Sequence, residues 1–498
     1  MRAFAISVLI FFAFTFATLG QTVTQESYTK ARAVLDRAVS AYGGLKELRA
    51  IENVGFRAEG DTVHRNQSRR TFTAERTPYK ATFLVDAKNT RYRQTQDGWY
   101  PGGFHWVNGF AINKTEAASW DNLRGVISPI PNIPPANFRQ RLRLVPQFVV
   151  LNAVDRASRL RYLGPATFDG RAHSVVSYSN EDGLEIALYF DDKSNLLSKF
   201  EFLGTDPFTG DTVTEVTFKG YKGQLPRIFP TERQDRRGGE ITLDIKILDP
   251  VFNATLADAM FKPTDGLRML EPGAPGQQTA KYSDSVYTVN AGGYNVLVVG
   301  MKDHVFVMEA PNGDNTSRQA IADIKKLFPG KPIKYVAVTH HHDDHAGGLR
   351  TYVAEGATLI ALPGEKSFFE KITKSIFTVD PDALALNPQP LKIETIGEGK
   401  RVLADGVTTV ELIDIGSGPH AEEMLVAYLP NEKIVFQGDL LNRPGNGDAP
   451  IANDTTAHFA KWLESSGLKV EKVVGVHGPP STVEEMRRAV NEMRTAKN

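Results

Sequence analysis

Length, composition and charge narrow the possible classes of protein. The chain has 498 residues, 41% hydrophobic and 9% aromatic, which is typical of globular proteins and excludes collagen-like, coiled-coil and wholly disordered chains. Its 58 Lys and Arg residues balance 58 Asp and Glu residues, so no long-range field favours nucleic acid as a partner. The sequence has no Cys, so any metal must bind nitrogen and oxygen ligands.

The first twenty residues have the layout of a secretory signal peptide. Arg2 precedes an apolar run from Ala3 to Leu19, and the chain becomes polar at Gln21. We therefore predict a signal peptide over residues 1–20 and a periplasmic or secreted mature protein without a stable membrane span. An uncleaved anchor is the alternative, because an apolar run of about 17 residues is only slightly short of a bilayer span.

Residues 21–262 predict a β-rich domain that opens with a helix. Apolar residues recur at helical spacing over 28–42. They then alternate with polar residues in runs such as 54–58 and 241–247, which turn-forming residues separate, with a helical interruption around 134–155. This pattern predicts an antiparallel curved β-sheet or half-barrel with helices.

A short motif in this domain suggests a ligand. The helix, the long strands and the run Ala41-Tyr42-Gly43-Gly44-Leu45 resemble the bacterial lipoprotein carriers, which are half-barrels that hold an acyl chain. The resemblance implies a lipid or lipoprotein ligand. A scaffold or dimerisation domain without a ligand is the alternative.

The pattern of elements changes after a segment rich in Pro and Gly. We predict a linker over 263–281 and a second domain over 282–498, which makes the protein an α+β chain of two domains. In the second domain, predicted strands at 294–299, 304–308 and 335–338 alternate with helices, as in layered α/β domains. A helix over 482–494 ends it.

Three histidines and an aspartate cluster directly after one predicted strand. His340 and His342 are two residues apart on extended backbone, so their imidazoles project to one side and can hold one ion. Asp344 and His345 follow in a loop that turns toward the position of a second ion. The spacing therefore predicts two metal ions, with His341 facing away from them.

Three later side chains stand at the ends of predicted strands. His420 follows a glycine-rich turn, Asp439 follows Gly438, and His477 follows a short apolar run. Each alone would more often be a buried His or a turn Asp. Their order after the first motif favours metal ligation, because one loop cannot complete the coordination of two ions.

With these residues, the region from Tyr282 onward resembles the metallo-β-lactamase superfamily of metal-dependent hydrolases. The resemblance implies an αββα sandwich with its metals along one edge of the sheets. It implies that Zn²⁺, with Fe or Mn as alternatives, is held by His340, His342 and His420 at the first site and by Asp344, His345 and His477 at the second, with Asp439 bridging.

The resemblance also implies a reaction. A hydroxide shared by the two metals, formed because the cations lower the pKa of bound water toward ~7, attacks an ester, lactone, amide or lactam bond of a small molecule. Asp344 is the expected catalytic residue, because it can orient the nucleophile and move its proton. The alternative is a periplasmic lipid- or lipoprotein-binding protein whose metal domain is structural.

Further residues near these motifs have expected roles. Glu309 stands near the place where many superfamily members carry Asp, and it is expected to accept a hydrogen bond from a ligand His; a surface Glu is the alternative. Asn442 and Arg443 follow Asp439 and are expected to contact substrate, with a solvated loop as the alternative. His458 is expected to be exposed on a helix.

Overall fold

The computed structural model describes residues 22–270, 278–444 and 448–497. The predicted signal peptide and residues 271–277 of the predicted linker lie outside these ranges. Within them, none of the helices is both long enough and apolar enough to cross a bilayer.

Four helices belong to the N-terminal region. The first begins before the predicted residue 28, because the hydroxyl of Thr22 accepts a hydrogen bond from the backbone N–H of Gln25 and caps it. The third and fourth occupy the predicted helical interruption. The four helices are α1 (Val23–Ala41), α2 (Leu45–Arg49), α3 (Pro135–Leu142) and α4 (Pro146–Asp155).

The same region forms one large sheet of 14 strands. The strands are β1 (Asn53–His64), β2 (Glu75–Asp86), β3 (Arg91–Tyr100), β4 (Phe104–Asn113), β5 (Glu116–Asp121), β6 (Val126–Ile130), β7 (Arg161–Phe168), β8 (Arg171–Ser179), β9 (Glu185–Asp191), β10 (Leu197–Asp206), β11 (Gly210–Lys219), β12 (Glu232–Arg237), β13 (Glu240–Phe252) and β14 (Arg268–Met269). Their order in space is β14-β6-β5-β4-β3-β2-β1-β13-β12-β11-β10-β9-β8-β7, and β14 runs parallel to β6.

Alternation of side chains explains how this sheet buries one face. In β2, Tyr79, Ala81, Phe83 and Val85 are buried, and the residues between them point the other way. The buried face packs against α1 and α4 in a single apolar core. This core holds the helices against the sheet.

Residues 280–482 form two further sheets. The first, in spatial order, contains β15 (Ala280–Lys281), β16 (Val286–Ala291), β17 (Tyr294–Gly300), β18 (Val305–Met308), β19 (Ile333–Ala337), β20 (Thr358–Ala361) and β21 (Lys392–Thr395). The second contains β22 (Lys400–Ala404), β23 (Thr409–Asp414), β24 (Leu425–Leu429), β25 (Ile434–Gln437), β26 (Lys472–Gly475) and β27 (Ser481–Thr482).

These sheets pack face to face between two layers of helices. Side chains of both sheets, such as Phe306 and Phe436, share one core. A second core joins the outer face of the first sheet to helices, and a third does the same for the second sheet. The result is the four-layer αββα arrangement, with helices α5 (Asp314–Leu327), α6 (Asp343–Ala346), α7 (Leu349–Ala354), α8 (Lys366–Thr373), α9 (Ala383–Leu386), α10 (Asp454–Ser466) and α11 (Val483–Lys497).

The predicted linker carries a two-residue strand near each of its ends. β14 is an edge strand of the N-terminal sheet, and β15 is an edge strand of the first C-terminal sheet. Backbone hydrogen bonding thus extends into 263–281 from either side. The division into separately folding domains stays a prediction.

The N-terminal sheet contacts the C-terminal region directly. Phe208, in the turn between β10 and β11, packs edge-to-face on Phe368 of α8, with ring centroids 5.1 Å apart. At the start of β11, the carboxylate of Asp211 accepts hydrogen bonds from the backbone N–H groups of Thr378 and Val379. These contacts fix the orientation of the large sheet beside the metal-ligand motif.

Candidate metal centre

The first cluster of candidate ligands joins three loops that follow strands. His340 and His342 lie just beyond β19, His420 lies in the loop after β23, and Asp439 follows β25. Each offers one ligand atom within 4.8 Å of the others. Nε2 of His340 lies 3.0 Å from Nε2 of His420, which in turn lies 3.2 Å from Oδ2 of Asp439.

The second cluster shares Asp439 and uses its other oxygen. Oδ1 of Asp439 lies 3.0 Å from Nε2 of His477 and 3.3 Å from Nε2 of His345. Oδ2 of Asp344 lies 3.6 Å from each of these two nitrogens. The four ligand atoms again lie within 4.8 Å of one another. The structure therefore brings together all seven predicted ligands, in the two groups that the resemblance implies.

Unpaired buried atoms show that these side chains suit metal ions. Nδ1 of His342, Nε2 of His345 and Oδ1 of Asp439 are buried and have no hydrogen-bond partner among the described residues. A buried polar atom without a partner is costly, and a cation at each cluster would satisfy all three. Imidazole nitrogens and carboxylate oxygens are ligands that Zn²⁺ accepts, as do Fe and Mn.

A glycine allows the strands to approach at this edge. A Cβ atom at Gly438 would stand 2.4 Å from Oγ1 of Thr339 and 3.1 Å from Nδ1 of His340. A larger residue at position 438 would therefore collide with Thr339 and force the two loops apart. The close approach of backbone that the sequence predicts at Gly438 is present.

Two acceptors orient the imidazoles from behind. Glu309 is fully buried; its Oε2 lies 2.8 Å from Nδ1 of His345, and its Oε1 accepts the backbone N–H of Thr339 at 2.8 Å. The backbone carbonyl of Ser68 lies 2.9 Å from Nε2 of His342. These contacts leave Nε2 of His345 and Nδ1 of His342 free to bind metal.

Charge differs between the two clusters. Burial, together with the neighbouring imidazoles, holds the pKa of His340 and His342 well below the ordinary value, so both rings are neutral at pH 7, as ligation requires. Burial also opposes charge on His477, but Asp439 and Asp344 outweigh it and raise the pKa of His477 to about 9. Two carboxylates, those of Asp344 and Asp439, thus face the imidazoles of the second cluster, and their negative charge favours a cation there.

A cavity of about 380 Å³ opens onto both clusters. Its wall combines candidate ligands with aromatic, amide and guanidinium groups, and one side comes from the N-terminal sheet. The lining residues are Gln67, Tyr100, Phe104, Arg124, Tyr294, Asp343, Asp344, His420, Asp439, Asn442, Asn453 and His477.

The two residues expected to contact substrate have different positions. Asn442 lines the cavity. Arg443 does not: its guanidinium donates to the carbonyl of Pro480 at 2.9 Å and pairs with Glu485 at 3.0 Å. The side chain of Arg443 therefore turns away from the cavity. It ties the loop after Asp439 to the start of α11.

Two further histidines with predicted positions, His341 and His458, lie outside the clusters. His341 faces away as expected; its ring packs on Phe368 and approaches Glu365, and burial lowers its pKa to about 4. His458 lies on α10, a helix as predicted, but the prediction that it is exposed is wrong. It is half-buried and packs beside Gly418 in the loop that carries His420, because α10 lies against that loop.

Sequence reasoning missed the wall from the N-terminal sheet. Gln67 lies between β1 and β2, Tyr100 and Phe104 flank the turn between β3 and β4, and Arg124 follows β5. No local motif marks these residues, because only the packing of the two regions brings them to the cavity.

Comparison with known proteins relates the region of the clusters to one superfamily. The family model for the metallo-beta-lactamase superfamily matches residues 290–477. A metallo-beta-lactamase type 2 from Elizabethkingia meningoseptica is 25% identical over 208 residues, which is 40% of this chain and 76% of that protein. Among solved structures, the DIM-1 metallo-beta-lactamase is 20% identical with a TM-score of 0.34, covering 45% of this chain and 99% of that one. The metallo-beta-lactamase from Pontibacter korlensis is 20% identical with a TM-score of 0.32, covering 44% and 98%.

Proposed function

Residues 290–477 of this chain belong to the metallo-beta-lactamase superfamily and make it a metal-dependent hydrolase, and from this premise we propose a more specific function. The protein is an exported dinuclear hydrolase that cleaves an ester, lactone, amide or lactam bond of a small molecule. Zn²⁺ is the preferred metal, with Fe or Mn as alternatives.

The shared carboxylate of Asp439 carries this proposal. One of its oxygens belongs to each cluster, and both clusters open onto one cavity. Two cations held on either side of one carboxylate would lie close enough to act on one substrate. When bound, the metals supply an activated water and a positive charge for the scissile bond.

The chain's own residues then have separate tasks. Oδ2 of Asp344 faces the second cluster, where it can orient the attacking water and accept its proton. Tyr294 lines the cavity and packs on His477; burial and the nearby carboxylate of Asp344 raise the pKa of its phenol to about 12. Tyr294 therefore keeps its proton at neutral pH and can donate a hydrogen bond to a substrate oxygen.

The cavity wall that the N-terminal sheet provides suggests which substrates fit. Among the described residues that line the cavity, Arg124 supplies the one guanidinium, and Tyr100 and Phe104 supply aromatic surface. Nε of Arg124 lies 3.5 Å from the Asp121 carboxylate, a long contact that leaves the guanidinium able to bind an anion. The favoured substrate carries a carboxylate or similar anionic group beside an apolar portion.

The N-terminal sheet serves the enzyme as the wall of its cavity. We place it as a curved half-barrel, and we retain export to the periplasm or medium as a proposal that rests on the first twenty residues. The alternative, a lipid-binding protein, is less favoured, because the ligand atoms of both clusters face one cavity as a metal-dependent enzyme requires.

A panel of chromogenic substrates tests the proposed function. The purified mature protein is assayed against a β-lactam, a lactone, an ester, a thioester and a phosphodiester, each with and without a chelator. Chelator-sensitive turnover of a lactam, lactone or ester is the expected result. Protein that binds no metal and cleaves none of them would contradict the proposal and favour the binding-protein alternative.

A further inference from the structure

We propose that Gln67, from the N-terminal sheet, is a positioning residue for the second metal cluster. The proposal rests on the proposed function, since it concerns how this chain prepares Asp344 for a metal ion. It assigns to the N-terminal region a part in the metal centre itself, beyond its part in the cavity wall.

The side-chain amide of Gln67 holds two adjacent carboxylates. Its Nε2 lies 2.7 Å from Oδ1 of Asp344 and 2.5 Å from Oδ1 of Asp343. An amide carries two N–H groups, so it can donate one to each carboxylate. The other oxygen of Asp344, Oδ2, is thereby directed at His345 and His477.

The neighbours of Gln67 contact the same motif. The backbone carbonyl of Asn66 accepts the N–H of Asp343 at 3.2 Å, and the carbonyl of Ser68 lies 2.9 Å from the ring of His342. Three successive residues of one loop thus bond to three successive residues of the metal-ligand motif. We call residues 66–68 the clamp.

The clamp is held in place by its own loop. The hydroxyl of Ser68 is fully buried and donates toward the carbonyls of Arg70 and Thr73, both at 2.8 Å. The guanidinium of Arg69 donates to the carbonyl of Gly418 at 3.2 Å, and the carbonyl of Arg69 accepts the N–H of Glu422. The loop is therefore fastened both to itself and to the loop that carries His420.

Orientation of Asp344 needs such a donor. Asp343 and Asp344 are neighbouring carboxylates beside the cavity, and without a donor between them their mutual repulsion would favour turning one away. Gln67 supplies two N–H groups without adding charge. Outer partners of metal ligands typically change metal affinity about 10- to 100-fold when they are removed.

The test is metal binding by the full-length mature protein and its Gln67→Met variant. Gln140→Met is the matched control, because Gln140 is exposed on α3. Metal-free protein is titrated with Zn²⁺ against a competing chromogenic chelator. It is titrated separately with Co²⁺, whose absorption bands report ligand geometry.

We expect wild type and Gln140→Met to bind two ions alike. In Gln67→Met, affinity at the second cluster should fall about 10- to 100-fold while the first cluster keeps its affinity, and the Co²⁺ bands of the second ion should change. Gln67→Asn keeps the amide but shortens its reach, so its affinity for the second ion should lie between those of wild type and Gln67→Met. Gln67→Asn takes the place of Gln67→Met in the test if Gln67→Met does not fold.

Two results would overturn the proposal, and they are distinguishable. Wild type that binds two ions, together with Gln67 variants of unchanged affinity and Co²⁺ spectrum, would reject the positioning role and leave the proposed function standing. Wild type that binds no metal would reject the proposed function and this inference with it.

Discussion

Nδ1 of His345 and Oε2 of Glu309 lie 2.8 Å apart, and both side chains are fully buried. Glu309 has a backbone φ of 100°, a conformation that residues other than glycine rarely adopt. Such strain persists only where the surroundings enforce it. Here the carboxylate also accepts the N–H of Thr339, so the end of β18 is fastened to the start of the metal-ligand motif.

Replacement of Glu309 by Gln should weaken the second metal site. The variant keeps the shape of the side chain but loses the negative charge that faces His345. We expect affinity for the second ion to fall about 10- to 100-fold, measured by equilibrium dialysis and metal analysis. Glu355→Gln, on the surface at the end of α7, is the control. Unchanged affinity in Glu309→Gln would show that the contact does not tune the site.

Replacement of Asp344 by Asn should abolish most turnover while metal stays bound at the first cluster. Asn cannot accept a proton from water, and loss of a general base typically costs about 10²- to 10⁴-fold in rate. Steady-state kinetics and metal analysis on the same preparation measure both effects. The exposed Asp380→Asn variant should behave as wild type. Full activity in Asp344→Asn would reject the proposed mechanism.

Replacement of Arg124 by Gln should weaken binding of anionic substrates. A charge-assisted hydrogen bond contributes about 1.5–3 kcal/mol, so KM for a carboxylate-bearing substrate should rise about tenfold or more, with a smaller change in kcat. The methyl ester of the same substrate should show little change. Arg159→Gln, at an exposed position, controls for loss of charge alone. An equal effect on acid and ester would exclude Arg124 as the anion site.

Removal of metal should lower thermal stability. A ligand that binds only the folded state at about 100 times its Kd stabilises by about 2.7 kcal/mol, so chelation should lower the melting temperature by several degrees. Scanning calorimetry of treated protein, and of treated protein given Zn²⁺ again, measures the effect and its reversal. An unchanged melting temperature after verified metal loss would argue against both clusters as metal sites.

The carboxylate of Asp314 should make stability depend on pH. It accepts hydrogen bonds from the hydroxyl of Thr351 and the N–H of Ala383, and it pairs with Arg318. Burial alone would raise the pKa of Asp314, but these partners, Arg318 first, lower it below the ordinary value. A lowered pKa means that the stabilisation is present above the unfolded-state pKa and is lost as pH falls through the folded-state pKa.

Asp314→Asn should therefore lower the free energy of unfolding by about 1 kcal/mol near pH 7, and the difference should shrink toward pH ~3.5. Urea unfolding at both pH values measures it. A difference that grows on acidification would contradict the assignment.

Local chemistry explains which parts of the site could be predicted. His340, His342, Asp344 and His345 lie within six residues, so their spacing alone indicates metal ligation. Gln67 and Arg124 carry no such signal, because their roles depend on contacts with distant parts of the chain.

A strand without apolar side chains also lacks a signal in the sequence. β12 (Glu232–Arg237) contains only charged and amide side chains, so it shows no apolar alternation. It forms within the sheet between β11 and β13, and the side chain of Arg233 pairs with that of Asp235 on the same face. Ion pairing there replaces the apolar contacts that sequence patterns detect.

The clamp also sets an order of events during synthesis. Gln67 and Asp344 are 277 positions apart, so the loop that steadies the second cluster leaves the ribosome long before the ligands it contacts. Contacts between such distant segments form slowly, because a long stretch of chain must first be ordered. All seven candidate ligands lie in the C-terminal region, but the clamp reaches His342 of the first cluster and Asp344 of the second only after the sheet docks. A half-folded chain would therefore hold a centre without the outer hydrogen bonds of the clamp, and full catalytic competence would mark the completion of folding.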